Sequence, residues 1–341
     1  MRQYEKSLHL GLTVLLCALI LRLFGEGLIP KTAALLDRPY IQDFLLYLET
    51  GQAVRSSSVS APLSYAPESP PPEFPVAVPE ETAPPETDPP GPEPIREEEA
   101  ALLGLYNTSG LPADAGALLM KKMPLWEPGQ PQVLIYSTHS TESYTQAGER
   151  YAETAAYRTL DGDYNMLSLG KALEEALEER GIGVLRDETV HDYPSYNAAY
   201  SDARKTVAEI LRGNPSIRLV LDLHRDAAGT DQQQLRTLAQ VAGARSAQLM
   251  LVVGTDARGL EHPGWEENLS LALKLQVLLE RHCPGITRPT CLRPQRFNQD
   301  LCPGCLLIEI GGAGNTRQEA LTAIPVLAQA IEELLALGEA R

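Results

Sequence analysis

From about residue 101 onwards, short apolar runs alternate with segments in which apolar residues recur at helical spacing. Strands are predicted at 131–136, 182–186, 219–223, 249–254 and 306–310. Helices are predicted at 166–180, 194–212 and 266–282, and a last helix begins at Thr316, where Thr316 and Glu319 have the spacing of a capping box. Because continuous apolar strands alternate with helices, the pattern predicts an α/β fold whose largely parallel sheet carries helices on both faces.

Residues 8–21 are nearly all apolar, with Arg2 and Lys6 before them and Arg22 after them. No small-residue cleavage site of the kind that ends a signal peptide follows. We therefore expect residues 1–30 to be a single-pass membrane anchor, with its basic N-terminal end in the cytoplasm and the rest of the chain outside. A cleaved signal peptide and a buried helix of a soluble protein are the alternatives.

Two segments separate this run from the globular part. Residues 31–56 suit a juxtamembrane helical segment interrupted by Pro39, which would pack on a partner, on the membrane surface or as a small local fold. Residues 57–100 are rich in Ser, Pro and Glu, a composition that buries too little apolar surface to fold. We expect a disordered linker there, able to span on the order of 100 Å, and a globular domain over 101–341.

Charge is distributed unevenly along the chain. There are 29 Lys and Arg against 45 Asp and Glu, a formal net charge of -16, and residues 61–100 alone hold ten acidic residues and one Arg. A protein that coats nucleic acid needs a basic stripe, so this class is excluded. Aromatic residues make up 6% of the chain, so a surface that stacks on sugars or bases is not indicated.

Three of the predicted strands end in, or lead into, residues that can bind a metal ion or move a proton. His139 follows the first strand, His224 follows the third, and Glu309 lies near the end of the fifth. Ligands bind beyond the carboxyl ends of the strands in such sheets, so we expect these side chains to meet at one edge. A charged Glu309 within so apolar a run is costly unless it has a partner.

His139 and Glu142 have the spacing H-x-x-E, which lets both side chains reach one ion. With His224 they make two histidines and one carboxylate, the ligand set of a catalytic zinc ion that keeps one position for water. Glu309 would take the proton from that water. Each residue alone is more often structural, but together they predict a zinc site. The other histidines of the globular part have no such neighbours and are predicted to be structural or surface residues, although the first of them is placed to line the cleft: His191, His262 and His282.

Four segments resemble the stage II sporulation protein P family: IYSTHSTESY, LGKALEEALEERGIGVLRDETVHDYPSYNAAY, LVLDLHRDA and RFNQDLCPGCLLIEIGGAGNT. The similarity covers about residues 100–338, and an anchor followed by a Pro-rich linker suits the same family. The resemblance implies a phosphorylase/hydrolase-like α/β fold and a zinc-dependent N-acetylmuramoyl-L-alanine amidase, with endopeptidase activity on peptidoglycan as well. It also implies action with the stage II sporulation proteins D and M, from the mother-cell membrane onto the septal wall during engulfment.

Carried over by this resemblance, His139, Glu142 and His224 are the Zn²⁺ ligands and Glu309 is the catalytic base. The amide cut would join the lactyl group of N-acetylmuramic acid to L-alanine. Family members often have a histidine where this chain has Ser137, so that position is left out of the ligand set.

Other residues near these motifs are candidates for substrate contacts. Arg225 would steady the oxyanion or a peptide carboxylate, or would only pair with Asp226. Asn298 and Gln299 would read peptide carbonyls, or would only cap their loop. The glycines at 311–312 would leave room for a substrate backbone to approach Glu309's strand.

Four cysteines follow the predicted anchor: Cys283, Cys291, Cys302 and Cys305. The last two form Cys-Pro-Gly-Cys, where relatives usually have small residues. Outside the cytosol cysteines tend to pair, so disulfide bonds are the first interpretation. Free thiols, a structural zinc site and a thioredoxin-like site are the alternatives, the last disfavoured because the motif precedes a strand and not a helix.

Two further functions are compatible with the same residues. A zinc carboxypeptidase also uses H-x-x-E, a later histidine and a glutamate, although a globular part of about 200 residues is small for that class. An inactive wall-binding scaffold is suggested by the missing histidine at position 137.

Overall fold

The computed structural model describes residues 92–123, 129–145, 157–230 and 233–338. The predicted membrane anchor, the juxtamembrane segment and most of the predicted linker lie outside the described residues. The interpretations of those three segments therefore stay predictions.

Strands and helices follow one another much as the apolar pattern predicts. The strands are β1 (Leu105–Asn107), β2 (Val133–Tyr136), β3 (Val184–Arg186), β4 (Leu219–Asp226), β5 (Gly229–Thr230), β6 (Gln233–Gln234), β7 (Leu238–Val241), β8 (Ala244–Ala247), β9 (Leu249–Gly254), β10 (Thr290–Arg293) and β11 (Cys305–Gly312). The α-helices are α1 (Ala115–Leu119), α2 (Met166–Glu178), α3 (Ala199–Gly213), α4 (Trp265–His282) and α5 (Arg317–Gly338). The 3-10 turns are Glu97–Leu102, Tyr196–Ala198 and Gln299–Leu301.

One seven-stranded sheet organises the domain, in the order β1-β10-β9-β11-β4-β2-β3. Five of its neighbouring pairs are parallel, while β9 and β11 are antiparallel. The predicted α/β fold with a largely parallel sheet is therefore confirmed. The antiparallel contact divides the sheet in two: β11, β4, β2 and β3 end at one edge, and β1, β10 and β9 end at the opposite edge. The strands that carry the candidate chemistry belong to the first group.

Helices cover both faces of the sheet. Apolar side chains of one face pack with those of α2, α4 and α5, among them Val133, Leu219, Leu221, Leu306 and Ile308. The opposite face packs on Ala203 and Val207 of α3 through a smaller cluster that includes Leu134, Tyr136, Val220 and Cys305. Alternate residues of a strand share a face, so Asp222, His224 and Glu309 lie on the α3 side.

Strands β4 and β11 extend beyond the apolar runs that predict them. β4 continues to Asp226, so His224 lies inside a paired strand rather than after it, and β11 continues to Gly312, so Glu309 lies further from the end of its strand than predicted. The Cα atoms of Glu309 and His224 are register partners. Pairing continues past the apolar runs because strands pair through backbone N–H and C=O groups, which polar residues offer as well as apolar ones. The register then shifts before Gly312, at a bulge where Gly311 has φ 68°.

The helix ends largely follow their sequence signals. The hydroxyl of Thr316 accepts a hydrogen bond from the N–H of Glu319 at 3.2 Å, and the Glu319 carboxylate accepts one from the N–H of Thr316 at 3.1 Å. The predicted capping box at the start of α5 is therefore confirmed. The helix predicted from residue 194 begins later, at Ala199, because a separate 3-10 turn precedes it.

The apolar pattern misses β1, β10 and the hairpin of β7 and β8. β1 and β10 have only three and four residues, too few for a periodic signal. β7 and β8 are joined by Ala242 and Gly243, both at positive φ (49° and 84°). Two-residue hairpin turns usually contain Asn-Gly or Asp-Gly, and the Ala-Gly of this turn does not predict a hairpin.

The range predicted as linker includes residues that the structure describes as folded. Glu97–Leu102 form a 3-10 helix, and the buried carboxylate of Glu99 forms an ion pair with Arg281 of α4. The residues just before 101 therefore belong to the folded domain and not to the spacer.

Among the described helices, α5 alone is long and apolar enough to cross a membrane. Its apolar residues belong to the same core cluster as those of α2 and α4, and 56% of its most apolar window is buried. α5 is therefore a core helix of the domain. The anchor prediction for residues 1–30 concerns a segment outside the described residues.

Candidate metal and catalytic centre

The predicted site residues meet on the α3 side of the sheet, near the carboxyl ends of three adjacent strands. In the order β11-β4-β2, Glu309 lies on β11 and His224 on the neighbouring β4. His139 and Glu142 lie on the loop that follows β2. The structure thus brings together the four residues that the sequence singles out.

His139 is buried in an aromatic environment. Its ring stacks on Tyr196 with centroids 4.2 Å apart. It meets the rings of Tyr200 and His224 edge-on, at 5.5 and 5.4 Å. Nδ1 has no hydrogen-bond partner and lies 3.9 Å from the Asp192 carboxylate. Burial lowers the pKa of His139 well below its ordinary value, so the neutral ring keeps a nitrogen lone pair that a metal ion can use.

Glu142 is buried among positive groups and donors. Oε2 lies 3.5 Å from Nδ1 of His224 and 3.3 Å from the backbone nitrogen of Arg225. Oε1 lies 3.6 Å from the Arg225 guanidinium and 3.8 Å from that of Arg158. Burial alone would raise the pKa of Glu142, but the charge of Arg225 and the contact with His224 outweigh burial and lower it well below the ordinary value. Glu142 is therefore a charged ligand candidate.

His224 lies between two carboxylates. Nδ1 faces Glu142, and Nε2 is 2.9 Å from Oδ1 of Asp222, although that contact lacks the direction of a regular hydrogen bond. Asp222 also accepts hydrogen bonds from the N–H and the hydroxyl of Thr138, at 2.8 and 2.7 Å. Burial disfavours the charged ring, but the two carboxylates outweigh burial and raise the pKa of His224 well above its ordinary value. Asp222 thus ties the loop after β2 to the histidine of β4.

Glu309 differs from the other acidic residues of the centre. Its Oε2 is buried and has no hydrogen-bond partner. Burial and the nearby Asp226 carboxylate raise the pKa of Glu309 to about 8. A buried carboxyl oxygen without a hydrogen-bond partner reduces stability. Such a group is a candidate for chemistry rather than for holding the fold together.

The space beside the glycines that follow Glu309 is filled by other parts of the chain. A Cβ at Gly312 would lie 2.6 Å from the carbonyl oxygen of Leu235, and a Cβ at Gly311 would lie 2.8 Å from the Cβ of Ala247. The prediction that these glycines leave room for a substrate backbone is therefore wrong. They allow β11 to bulge closely against the residues inserted between β4 and β9.

The donor set of the centre fits a zinc ion in its chemistry. Two imidazoles and a carboxylate are ligands that catalytic zinc takes in proteins, and Nδ1 of His139 is a buried nitrogen without a hydrogen-bond partner. Within the described parts of the chain, no three His, Cys, Asp or Glu side chains converge on a point that would hold a metal ion. The residue types therefore fit the ion, while their side chains are arranged as an ion-paired network.

Arg225 binds the loop that carries Glu142. Its Nε and Nη2 donate to two main-chain carbonyls of residues 143 and 157, at 3.0 and 3.2 Å. The side chain is buried. Asp226, the alternative partner considered for Arg225, pairs with Arg288 at 2.8 Å. These contacts are those of a residue that positions Glu142, and the oxyanion role of Arg225 stays a prediction.

Three residues of the centre were not predicted from the sequence to belong to it: Arg158, Asp192 and Tyr196. Asp192 accepts hydrogen bonds from the N–H and the hydroxyl of Thr141, at 3.2 and 2.5 Å. The Arg158 guanidinium lies 3.9 Å from the Tyr196 ring centroid and 3.6 Å from Asp192. The available signal was the polar and aromatic run from 191 to 196, directly before α3. Arg158 lies in a stretch without periodicity and had no signal.

A comparison with known families decides what kind of chain this is. The family model "Stage II sporulation protein P (SpoIIP)" matches residues 81–332. The chain belongs to this family. The Stage II sporulation protein P of Bacillus subtilis (strain 168) is 29% identical over 217 residues, which cover 59% of this chain and 50% of that protein. The match thus spans half the length of that relative.

Two solved structures of amidases resemble the chain. The CwlD amidase from Clostridioides difficile, solved in complex with the GerS lipoprotein, is 13% identical, with a TM-score of 0.38 over 60% of this chain and 98% of that one. The catalytic domain of CwlV, an N-acetylmuramoyl-L-alanine amidase from Bacillus (Paenibacillus) polymyxa var. colistinus, is 13% identical, with a TM-score of 0.36 over 60% and 96%. Neither TM-score is high enough to assign a fold or an activity.

Position 137, where members of the family often have a histidine, holds a buried serine. The carbonyl of Ser137 accepts a hydrogen bond from the hydroxyl of Ser140 at 2.9 Å. This bond closes the turn that carries His139. The bond uses only the backbone of residue 137, and the candidate nitrogen donors of the centre stay His139 and His224.

Asn298 and Gln299 bind the chain's own backbone. The Asn298 amide donates to the carbonyl of Tyr200 at 2.7 Å. Gln299 accepts from the N–H of Gly254 at 2.7 Å and donates to the carbonyl of Val252 at 2.8 Å. Of the two roles considered for these residues, the contacts are those of loop capping.

The remaining histidines have structural surroundings. His191 pairs with Asp187 at 2.8 Å, and His282 pairs with Glu333 at 3.0 Å. His262 is buried just before α4, and burial lowers its pKa. The ion pairs of His191 and His282 agree with the structural roles predicted for them, while both ring nitrogens of His262 are buried without a hydrogen-bond partner and its role stays a prediction.

Proposed function

We propose that this chain is a sporulation peptidoglycan hydrolase that cuts the amide between the lactyl group of N-acetylmuramic acid and L-alanine. One observation carries the proposal: in a chain of this family, β2, β4 and β11 bring His139, Glu142, His224 and Glu309 to one place on the sheet. Endopeptidase activity on the same polymer is the second half of the family expectation.

Three side chains of this set would hold a Zn²⁺ ion: His139, Glu142 and His224. A bound zinc ion supplies a polarising charge for a carbonyl and acidifies a water molecule. The protein's part is to present two imidazoles and a charged carboxylate in a site that excludes bulk water, and all three side chains are buried. Asp222 orients His224, and Tyr196 packs flat against His139.

Glu309 would accept the proton of the attacking water and return it to the leaving amine of L-alanine. Its backbone is paired with that of His224, so its Cα is held opposite that of one of the proposed ligands. Its Oε2 makes no hydrogen bond that would have to break first. These features support Glu309 as the base and Arg225 as the residue that positions Glu142.

The setting of the reaction is part of the proposal. A single-pass anchor at residues 1–30 would hold the domain outside the cytoplasm, at the mother-cell membrane and facing the septal wall. The linker would let the domain reach peptidoglycan at a distance from that membrane. Stage II sporulation proteins D and M would be its partners during engulfment. The family assignment and the Pro- and Glu-rich segment support this arrangement.

Digestion of purified peptidoglycan by the full chain, followed by mass spectrometry of the products, tests this function. An amidase releases peptides with a free N-terminal L-alanine and leaves glycan strands without peptides. The Glu309→Gln variant is the matched control for a contaminating hydrolase. Release of single C-terminal residues would replace the amidase with a carboxypeptidase, and the absence of any product, with zinc present, would leave a wall-binding scaffold.

A further inference from the structure

Cys302 and Cys305 face each other across the turn that leads into β11. Their Sγ atoms are 3.1 Å apart, and both residues are free thiols in the structure. We propose that these two cysteines form a disulfide bond that fastens the turn before β11 next to the candidate centre. The proposal concerns a covalent modification and does not depend on the proposed hydrolase function.

The backbone of the turn brings the two thiols together. Between them, Gly304 has φ 97°, a conformation that favours glycine. A Cβ at Gly304 would also lie 2.3 Å from the carbonyl oxygen of Arg218, just before β4. Any other residue at Gly304 would push the turn away from β4. The glycine therefore fixes the path on which both cysteines stand.

Both flanks of the turn are tied to the rest of the domain. The side chain of Asn268 on α4 donates to the carbonyl of Gln299 and accepts from the N–H of Gly304, each at 2.8 Å. Asp300 accepts two hydrogen bonds from the Arg204 guanidinium of α3, each at 2.7 Å. With both ends held, the thiols stay within reach of each other, and closing the bond asks for little backbone movement.

The same segment supports the wall of the candidate centre. The Asn298 amide binds the carbonyl of Tyr200, and the rings of Phe297 and Tyr200 are 6.0 Å apart. Tyr200 in turn meets His139 edge-on at 5.5 Å. A bond between Cys302 and Cys305 would hold the segment that carries Phe297 and Asn298 against this wall.

The other two cysteines do not compete for the pair. Cys283 belongs to the main core, while Cys291 packs in a separate cluster with Met250 and Val252. In the described ranges, no three metal-binding side chains form a group, so the four-cysteine zinc site is not supported. The motif precedes a strand, which gives no helix N-terminus to stabilise a thiolate, and its contact with Cys302 and its burial raise the pKa of Cys305. A stable structural bond suits these surroundings better than a redox catalyst.

Formation of the bond needs an oxidant, and a small-molecule disulfide supplies one. The half-buried Cys302 attacks as a thiolate, forms a mixed disulfide and releases one small thiol. Cys305 then loses its proton to solvent and attacks Sγ of Cys302, which expels the second small thiol. Two protein thiols are oxidised and one external disulfide is reduced to two thiols.

Peptide mass mapping of the full chain tests the bond directly. Trypsin cleaves after Arg296 and Arg317, so one peptide contains both Cys302 and Cys305. Cys283 and Cys291 fall together in the peptide that starts at His282, because proline follows Arg288 and Arg293. After incubation with oxidised glutathione, denaturation and alkylation without reductant, the 297–317 peptide should appear unalkylated and lighter by two hydrogen atoms. The 282–296 peptide should carry two alkyl groups and serves as the internal control.

The proposal also predicts a difference in stability. Oxidised protein should melt about 2–6 °C above reduced protein, since closing a four-residue loop constrains the unfolded chain modestly. Cys302→Ser should abolish this difference, and Cys283→Ser should keep it. If both thiols of the 297–317 peptide are fully alkylated after equilibration with oxidised glutathione, or if either one is linked to the 282–296 peptide, the proposed pairing is overturned.

Discussion

The two sides of the candidate centre differ in how their carboxyl groups are paired. On the side of β2 and β4, Glu142 and Asp222 contact arginine, histidine or threonine within 3.8 Å. On the side of β11, Oε2 of Glu309 is buried and has no hydrogen-bond partner. Paired groups hold their positions because each contact stabilises the fold. A carboxyl oxygen without a hydrogen-bond partner does not stabilise the fold and stays available to a reactant. The comparison therefore separates the paired side, which carries proposed metal ligands, from Glu309, the proposed base.

The largest effect is expected from Glu309→Gln. The amide keeps the shape and hydrogen-bonding reach of the carboxyl but cannot accept a proton from water. We expect kcat for peptidoglycan cleavage to fall roughly 10²–10⁴-fold, the usual loss when a general base is removed. Zinc content, measured by elemental analysis on the same sample, should equal that of the wild type.

The comparison is overturned if the variant loses its metal. A Glu309→Gln protein purified without zinc, beside a Glu142→Ala protein that keeps it, would reverse the two roles. Glu319→Gln is a control for the same substitution, because Glu319 is a glutamate outside the centre whose carboxylate caps α5. It should leave zinc content unchanged.

The next effect concerns the paired side. Replacing His139, Glu142 or His224 by alanine removes a proposed donor to the metal. We expect the affinity for zinc to fall by more than about 100-fold, beyond the loss that an outer partner of a ligand causes. Competition with a chromogenic chelator measures this. Full zinc occupancy in both histidine variants at equal chelator concentration would reject the ligand set.

A smaller effect is expected from Asp222→Asn. The amide still reaches Thr138 but no longer offers a negative charge to Nε2 of His224, which lies 2.9 Å from the present Oδ1. Loss of such an outer partner costs about 10–100-fold in metal affinity. The chelator assay should place Asp222→Asn between the wild type and His224→Ala. A variant that binds zinc as tightly as the wild type would show that Asp222 serves only the Thr138 loop.

Much of the paired side was within reach of sequence reasoning, and the reason lies in local pattern. His139 and Glu142 are three residues apart, and His224 follows an apolar run, so strand order brings them together. Asp222 was accessible by the same logic, because it precedes His224 by two residues and so shares its face. The cost of a charge inside an apolar run, which indicated Glu309, applies equally to Asp222.

Contacts made by distant loops were beyond such reasoning. The contacts of the Arg225 guanidinium with main-chain carbonyls could not be predicted, because they lie on a loop that no periodicity describes, and its predicted contact with substrate stays a prediction. Gly311 and Gly312 were predicted to face substrate, but residues between β4 and β9 fill that space. A glycine in the sequence can indicate a close approach to another part of the chain or to a ligand, but it does not reveal which of them fills the space.

The smallest effect on catalysis is expected from shortening the spacer. This change tests whether the spacer provides only reach, while the folded domain carries the chemistry. Deleting residues 57–91 removes only chain that precedes the first described residue, so cleavage of soluble peptidoglycan fragments by the full-length variant should be unchanged. Sporulation should fail, because the domain would no longer reach the septal wall from its anchor. Deleting 57–100 goes further and removes Glu99, the partner of Arg281 on α4. That longer deletion should lower the melting temperature by about 2–4 °C if the contact contributes about 1 kcal/mol. Loss of activity on soluble fragments in the shorter deletion would mean that residues 57–91 take part in the chemistry, which would end the interpretation of this segment as a spacer.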